Sequence, residues 1–217
     1  MDTTSPLFLA LLANGPIKMD GYTYFLYGGK IRKCKSKRGP RKSRTEGERQ
    51  TTDRFTETRK MWKIYRRAIK DLPIWRVEAR ARGVSKSDSL FHSINGGCLQ
   101  PGKGVWAFKT FRFSVGSLDA PVITAAEREG WTVTLHWKNG ANCPKADSSD
   151  WVFLGYFYDT LRRSPQLTLD YMPRRIDEKI TIEIPPADQP EGTRLHLYLF
   201  FGNEEFTQFS PSEYVEL

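Results

Sequence analysis

The sequence is poor in the residue types that carry most enzymatic chemistry. Among 217 residues there are three histidines (His92, His136, His196) and three cysteines (Cys34, Cys98, Cys143). No Cys-x-x-Cys occurs, which removes the ligand spacing of zinc sites and of thioredoxin-like redox centres. The cysteines are widely spaced and odd in number, so reduced thiols in a cytoplasmic-type protein are expected rather than a disulfide framework. The apolar segment Leu7-Phe8-Leu9-Ala10-Leu11-Leu12-Ala13 is far too short to span a bilayer, and no membrane partner is expected. Secretion is argued against because Asp2 precedes this segment and the first lysine is Lys18, whereas a signal peptide places positive charge ahead of its apolar run. It reads as a short buried strand or helical turn. No period repeats along the chain.

Catalytic constellations are equally scarce. A nucleophile needs a base within reach, usually histidine, and none of the three histidines accompanies a nucleophile motif. Ser114-Val115-Gly116-Ser117 lacks the Gly-x-Ser-x-Gly elbow. His136 and His196 alternate with apolar residues and are expected to point away from the core, while His92 falls in a helical region. The close carboxylate pairs Glu127/Glu129, Asp147/Asp150, Asp177/Glu178 and Glu204/Glu205 all fall in expected turns, where acids favour turn formation and solubility. Asp147-Ser148-Ser149-Asp150 lacks the graded oxygen ligands and terminal Glu of a calcium loop. Gly28-Gly29-Lys30 and Asn95-Gly96-Gly97 fit neither the dinucleotide nor the P-loop pattern. The expectation is therefore a non-enzyme with no cofactor and no metal.

What the sequence does have is charge, divided unevenly. The net charge of +9 combines residues 1–115, with 25 Lys+Arg against 9 Asp+Glu (net +16), and residues 116–217, with 9 against 16 (net −7). Such asymmetry suggests separate surfaces with separate partners. In the basic part, Tyr22–Tyr27 suits a strand, Gly28-Gly29 a tight turn, and Lys30–Cys34 a returning strand. The stretch from Lys35 to Arg44 is too polar and broken for regular structure and reads as an exposed loop. Thr45 or Ser43 can cap the following helix, and Thr45 with Glu48 has capping-box spacing. Phe55, Trp62, Tyr65 and Ile69 fall on one helical stripe, with Arg59, Lys60, Lys63, Arg66, Arg67 and Lys70 opposite. Pro73 opens a second helix reaching about Arg82, and a third is expected around Asp88–Ile94.

From about Phe108 the pattern changes to period two. Ile180, Ile182 and Ile184 alternate with Lys179, Thr181 and Glu183; Trp131, Val133, Leu135 and Trp137 alternate with Thr132, Thr134 and His136. Leu195, Leu197, Leu199 and Phe201 alternate with Arg194, His196, Tyr198 and Phe200. With Pro121–Ala126, Trp151–Tyr158, Gln166–Tyr171 and Phe206–Leu217, about seven strands arise, as in an immunoglobulin-like or fibronectin-like sandwich. The fold class expected is α+β: an N-terminal β-hairpin plus helices over residues 1–113, and an antiparallel β-sandwich over 114–217.

The order of landmarks resembles a known group. Gly15-Pro16-Ile17, Gly21-Tyr22, Gly28-Gly29-Lys30 and Ile31-Arg32 precede Pro40-Arg41, Arg44-Thr45-Glu46 and a helix holding Phe55 and Trp62. Phe91, Asn95, Phe113–Leu118, Pro121, Val133 and Trp137 follow. This order resembles a family of Bacteroidetes proteins classed as a domain of unknown function, and the segment Arg41–Trp62 is also similar to short proteins encoded near phage structural genes. The resemblance implies the two-part architecture and carries no activity with it. The loop after the hairpin is more basic here than the family pattern.

The positive functional signal is the basic tract. Lys30, Arg32, Lys33, Lys35, Lys37, Arg38, Arg41, Lys42 and Arg44 occur with no acid among them. Such segments attract DNA or RNA through counterion release, arginine forks grip phosphate, and Tyr22, Tyr24 or Tyr27 can stack on unpaired bases. Equally, the aromatics can pack the hairpin onto the helix, and the cations can face the acidic half of the same or a neighbouring molecule. The leading expectation is an interaction or assembly protein of phage or mobile-element origin, cytoplasmic or in a virion, with a protein partner or itself as partner. Nucleic-acid binding through Lys30–Arg44 is the alternative. Carbohydrate or surface binding by the sandwich is a third reading, resting on fold analogy.

Overall fold

The computed structural model describes residues 6–37, 43–70, 72–139, 144–169, 172–190 and 192–217. Arg38, Arg41, Lys42 and Cys143 lie outside the described residues. The chain divides into two compact units, Met1–Arg49 and Gln50–Leu217.

The first unit packs one helix on one sheet. Helix α1 (Pro6–Ala13) is followed by β1 (Ile17–Met19), β2 (Tyr22–Tyr27) and β3 (Lys30–Lys35), an antiparallel sheet in the order β1-β2-β3. The β2–β3 turn works because Gly28 and Gly29 take φ of 57° and 72°, which match the strand twist and which residues with a Cβ adopt at a cost. Tyr24 is buried against Phe8 with ring centroids 5.4 Å apart, and Leu12, Ile17, Met19, Tyr22 and Ile31 close this small core. The expected hairpin is thus two strands of a three-stranded sheet, and Leu7–Ala13 lies within the helix that covers one of its faces.

The long helix α2 (Glu46–Ala68) opens on the expected reciprocal cap. The Thr45 N–H donates to Glu48 Oε2 at 2.9 Å and the Glu48 N–H donates to Thr45 Oγ1 at 3.3 Å. Helices α3 (Ile74–Ala81) and α4 (Ser87–Asn95) and a small hairpin of β4 (Leu99–Gln100) and β5 (Gly104–Val105) follow. Seven strands complete the chain: β6 (Val122–Glu129), β7 (Thr132–Lys138), β8 (Trp151–Tyr158), β9 (Gln166–Thr168), β10 (Lys179–Glu183), β11 (Leu195–Gly202) and β12 (Glu213–Glu216). They form two antiparallel sheets, β10-β7-β6 and β12-β11-β8-β9. The fold is α+β with a fibronectin-like sandwich of three strands against four.

Two cores share the larger sheet. Val133, Leu135, Trp137, Ile180 and Ile182 meet Leu154, Leu197, Leu199 and Phe201 between the sheets. On the outer side of β8 and β11, Phe153, Phe157, Tyr198 and Phe200 pack with Tyr65, Trp75, Phe91, Phe111 and Phe113 from the helical region. Every residue of β11 is buried because a helical layer covers the face expected to meet water. His196, expected to point outward, is consequently 4% exposed.

This shared core also spans the expected division at residues 113 and 114. Phe113 is fully buried between the helices and the sheet, and both lie in the compact unit Gln50–Leu217. The stripe on α2 needs adjustment as well. Met61, Tyr65 and Ile69 are buried at four-residue spacing, Trp62 is partly buried, and Phe55 is 46% exposed. No helix among the described residues is long and apolar enough to cross a membrane.

Candidate nucleic-acid interface

In β2, alternation sends Tyr22, Tyr24 and Leu26 to one face and Thr23, Phe25 and Tyr27 to the other. Tyr24 is the residue that meets α1, so Phe25 and Tyr27 lie on the face away from that helix. Directly paired residues of antiparallel strands share a face, and the register pairs Phe25 with Arg32, Tyr27 with Lys30, and Lys18 with Thr23. The result is a sheet face on which two aromatic rings alternate with Lys18, Lys30 and Arg32. Tyr27 is 66% exposed, Phe25 is half-buried, and the three cations are exposed.

The rest of the basic tract is less concentrated. Lys33 and Lys35 share the face of Tyr22 and Tyr24, where the Lys33 ammonium sits 5.2 Å from the Tyr22 ring centroid. Lys37 and Arg44 are exposed outside the strands. Of the tyrosines considered for stacking, Tyr24 serves the core and Tyr22 lies under Lys33, which leaves Tyr27. Phe25 and Lys18 were not among the expected residues. The period-two pattern of β2 places Phe25 beside Tyr27, but choosing the free face requires knowing that α1 covers the other.

No protein-family model matches the chain, and no curated protein matches it. Among solved structures, partial likenesses each cover 48% of this chain. They are a β-1,2-glucanase from Parabacteroides distasonis (15% identity, TM-score 0.33, 13% of that chain) and a fibronectin type-III domain of human fibronectin type III domain containing protein 3 (22%, 0.34, 85%). A third is the Clostridium perfringens spore cortex lytic enzyme SleM (16% identity, TM-score 0.31, 28% of that chain). The chain thus spans under a third of either enzyme. Strand order defines the fold here.

The titratable residues weighed as catalytic groups are dispersed over several elements. His92 packs its ring 4.7 Å from Phe55, and His136 is half-buried on β7. His196 stacks on Phe108 at 3.6 Å, with Nδ1 2.9 Å from the Tyr214 hydroxyl and Nε2 3.4 Å from Asp159 Oδ1. Glu127 and Glu129 lie on the edge strand β6 rather than in a turn. Asp147 Oδ1 accepts the Ser149 N–H at 2.9 Å, Asp150 forms a buried ion pair with Arg175, and Glu204 pairs with Arg174 at 2.8 Å. Asp177 Oδ2 accepts the Arg174 N–H at 2.7 Å, and Glu178 follows in a left-handed conformation. The Cys98 thiol is buried, bonded to the Asn95 carbonyl, and pushed up to about 12; Cys34 is exposed and free.

His196 gives a pH prediction. Burial disfavours its cation and holds its pKa below the usual value, against the opposing pull of Asp159 and Glu216. The unfolded chain therefore binds a proton more readily than the folded one. Its contribution to stability is complete above the unfolded value of about 6.5 and is lost as pH falls below it. Urea midpoints measured from pH 7.5 downward, in steps kept above the carboxylate range, are expected to fall for the native protein. In His196→Gln this slope is expected to be shallower; an unchanged slope assigns the loss to another group.

Proposed function

We propose that this is a non-enzymatic binding protein whose basic unit holds single-stranded nucleic acid across the sheet face formed by Lys18, Phe25, Tyr27, Lys30 and Arg32. The observation that supports this most directly is the register that pairs Phe25 with Arg32 and Tyr27 with Lys30 on the face opposite α1. Aromatic rings present stacking surfaces to unpaired bases, and the cations beside them neutralise the phosphates that link those bases. Lys37, exposed just after β3, adds a further cation to this unit.

Fluorescence anisotropy with a labelled single-stranded oligonucleotide tests the proposal. Joint replacement of Lys18, Lys30 and Arg32 by Gln is expected to reduce the slope of log affinity against log salt by about 2. Tyr27→Ala and Phe25→Ala are each expected to cost ~1–3 kcal/mol of binding while leaving the slope in place. Binding that loses salt dependence with the cations but ignores both aromatic changes rejects stacking.

A second reading, protein assembly, is supported by α1. Leu7, Leu9 and Leu11 are exposed by 61%, 43% and 43%, Leu7 and Leu11 on one flank of its buried Phe8–Leu12 stripe and Leu9 on the other. Apolar side chains grouped on one short helix favour protein contacts. Mass measured by light scattering across protein concentration separates this reading from a monomeric binder.

A further inference from the structure

The second unit holds a cationic pocket that the sheet-face reading does not use. A cavity of about 560 Å³ opens where α2, α3 and the start of α4 meet, within the size range of small-molecule sites. Trp62 and Arg66 reach it from α2, Arg76 and Arg80 from α3, and Lys86 and Asp88 from the entry to α4. Among the described lining residues, four cations thus surround one carboxylate, and Arg66 has an interaction of its own. The Asp88 Oδ1 accepts the Ser89 N–H at 2.9 Å, so that carboxylate is partly occupied in its own helix turn.

Gathering these cations opposes folding. Arg76 and Arg80 are one helical turn apart on α3, a spacing at which like charges repel. The acid on the same helix, Glu78, pairs instead with Arg82 at 2.6 Å. Among the described residues Arg76, Arg80 and Lys86 have no ion-pair partner, while Arg163 and Arg174 elsewhere in the unit each have one. Guanidinium forks match the oxygens of phosphate, and several around one concavity favour a ligand with more than one phosphate charge. The Trp62 side chain adds a flat apolar wall.

We infer that this pocket binds a small phosphorylated molecule carrying at least two phosphate groups, with Arg76 and Arg80 as its principal contacts. The site is independent of the sheet face, since the two share no residue.

Equilibrium dialysis of the full chain with labelled inorganic pyrophosphate at low ionic strength tests the inference. Saturable binding to one site is expected, weakened about tenfold or more in R76Q/R80Q and less in K86Q. Near-UV circular dichroism checks that these exposed replacements leave the fold intact. The K30Q/R32Q variant is expected to bind pyrophosphate normally, which separates this site from the sheet face. Absence of saturable binding overturns the inference, as does binding indifferent to R76Q/R80Q. So does an outcome in which R76Q/R80Q weakens oligonucleotide binding while pyrophosphate neither binds nor competes, because the pocket is then part of a polynucleotide surface.

Discussion

Asp150→Ala is expected to lower the unfolding free energy by about 3–5 kcal/mol, because it leaves a buried guanidinium without its counter-charge. The Arg175 side chain is fully buried and that of Asp150 nearly so, with Nη2 2.9 Å from Oδ2. The guanidinium also donates to the Asp119 carbonyl at 3.1 Å and to Asn139 Oδ1 at 3.2 Å, and it lies 3.8 Å from the Phe201 ring centroid. Asp150 accepts the Asp147 N–H at 3.2 Å, and Trp137 Nε1 donates to the Arg175 carbonyl at 3.0 Å. These bonds orient both ions, so neither swings to water when the other is removed. Asp150→Asn, which keeps size and one acceptor oxygen, is expected to cost less than Asp150→Ala. Replacing both ions by apolar residues of similar volume is expected to recover most of the loss, since a buried pair offsets its own desolvation only narrowly. Urea denaturation of the three variants decides the matter: a loss below about 1 kcal/mol for Asp150→Ala is the value of an exposed pair and contradicts a closed cage.

Much of this fold was legible because a half-buried strand writes its environment into alternate residues. Ile180, Ile182 and Ile184 face the core as their spacing requires, and the Thr45–Glu48 cap forms where its spacing places it. Alternation misleads where a strand is covered on both sides. Leu195–Phe201 alternates in sequence, yet Tyr198 and Phe200 at the positions expected to meet water are themselves apolar-bodied and buried. A near-continuous apolar run marks such a strand, and β8, with Val152, Phe153, Leu154, Tyr156, Phe157 and Tyr158 all buried, carries the same mark. The Asp150–Arg175 pair had no local signal, since 25 residues separate the partners and the cage depends on the return of the chain. For the sheet face, charge was visible and register was not. Lys30–Arg44 stood out by composition, but the concentration of Lys18, Phe25, Tyr27, Lys30 and Arg32 on one side follows from β1 joining the hairpin and α1 covering the other side.

Phe113→Ala is expected to destabilise the second unit by about 3–5 kcal/mol, and to do so in helices and sandwich together. The ring is fully buried, with centroids of Tyr65 at 5.2 Å, Tyr198 at 5.6 Å and Phe200 at 6.1 Å. A Cβ on Gly155 in β8 would lie 2.5 Å from this ring, so the strand carries glycine where the ring presses on it. The backbone is held from both sides as well: the Tyr65 hydroxyl donates to the Phe113 carbonyl, and the Phe113 N–H donates to Ser212 Oγ at 3.0 Å. A cavity here removes contacts from α2 and from β8 and β11 at once, so neither layer can relax into it without the other. Helical ellipticity and tryptophan fluorescence are therefore expected to report one shared midpoint in both the native protein and the variant. Two separated midpoints, with only one moved by the substitution, are the signature of independent domains divided at residue 113 and refute a common core. The same geometry bears on dissection of the chain. A fragment beginning at residue 114 uncovers Phe153, Phe157, Tyr198 and Phe200 on one sheet face, a patch expected to drive self-association, whereas one beginning at Gln50 keeps that face covered.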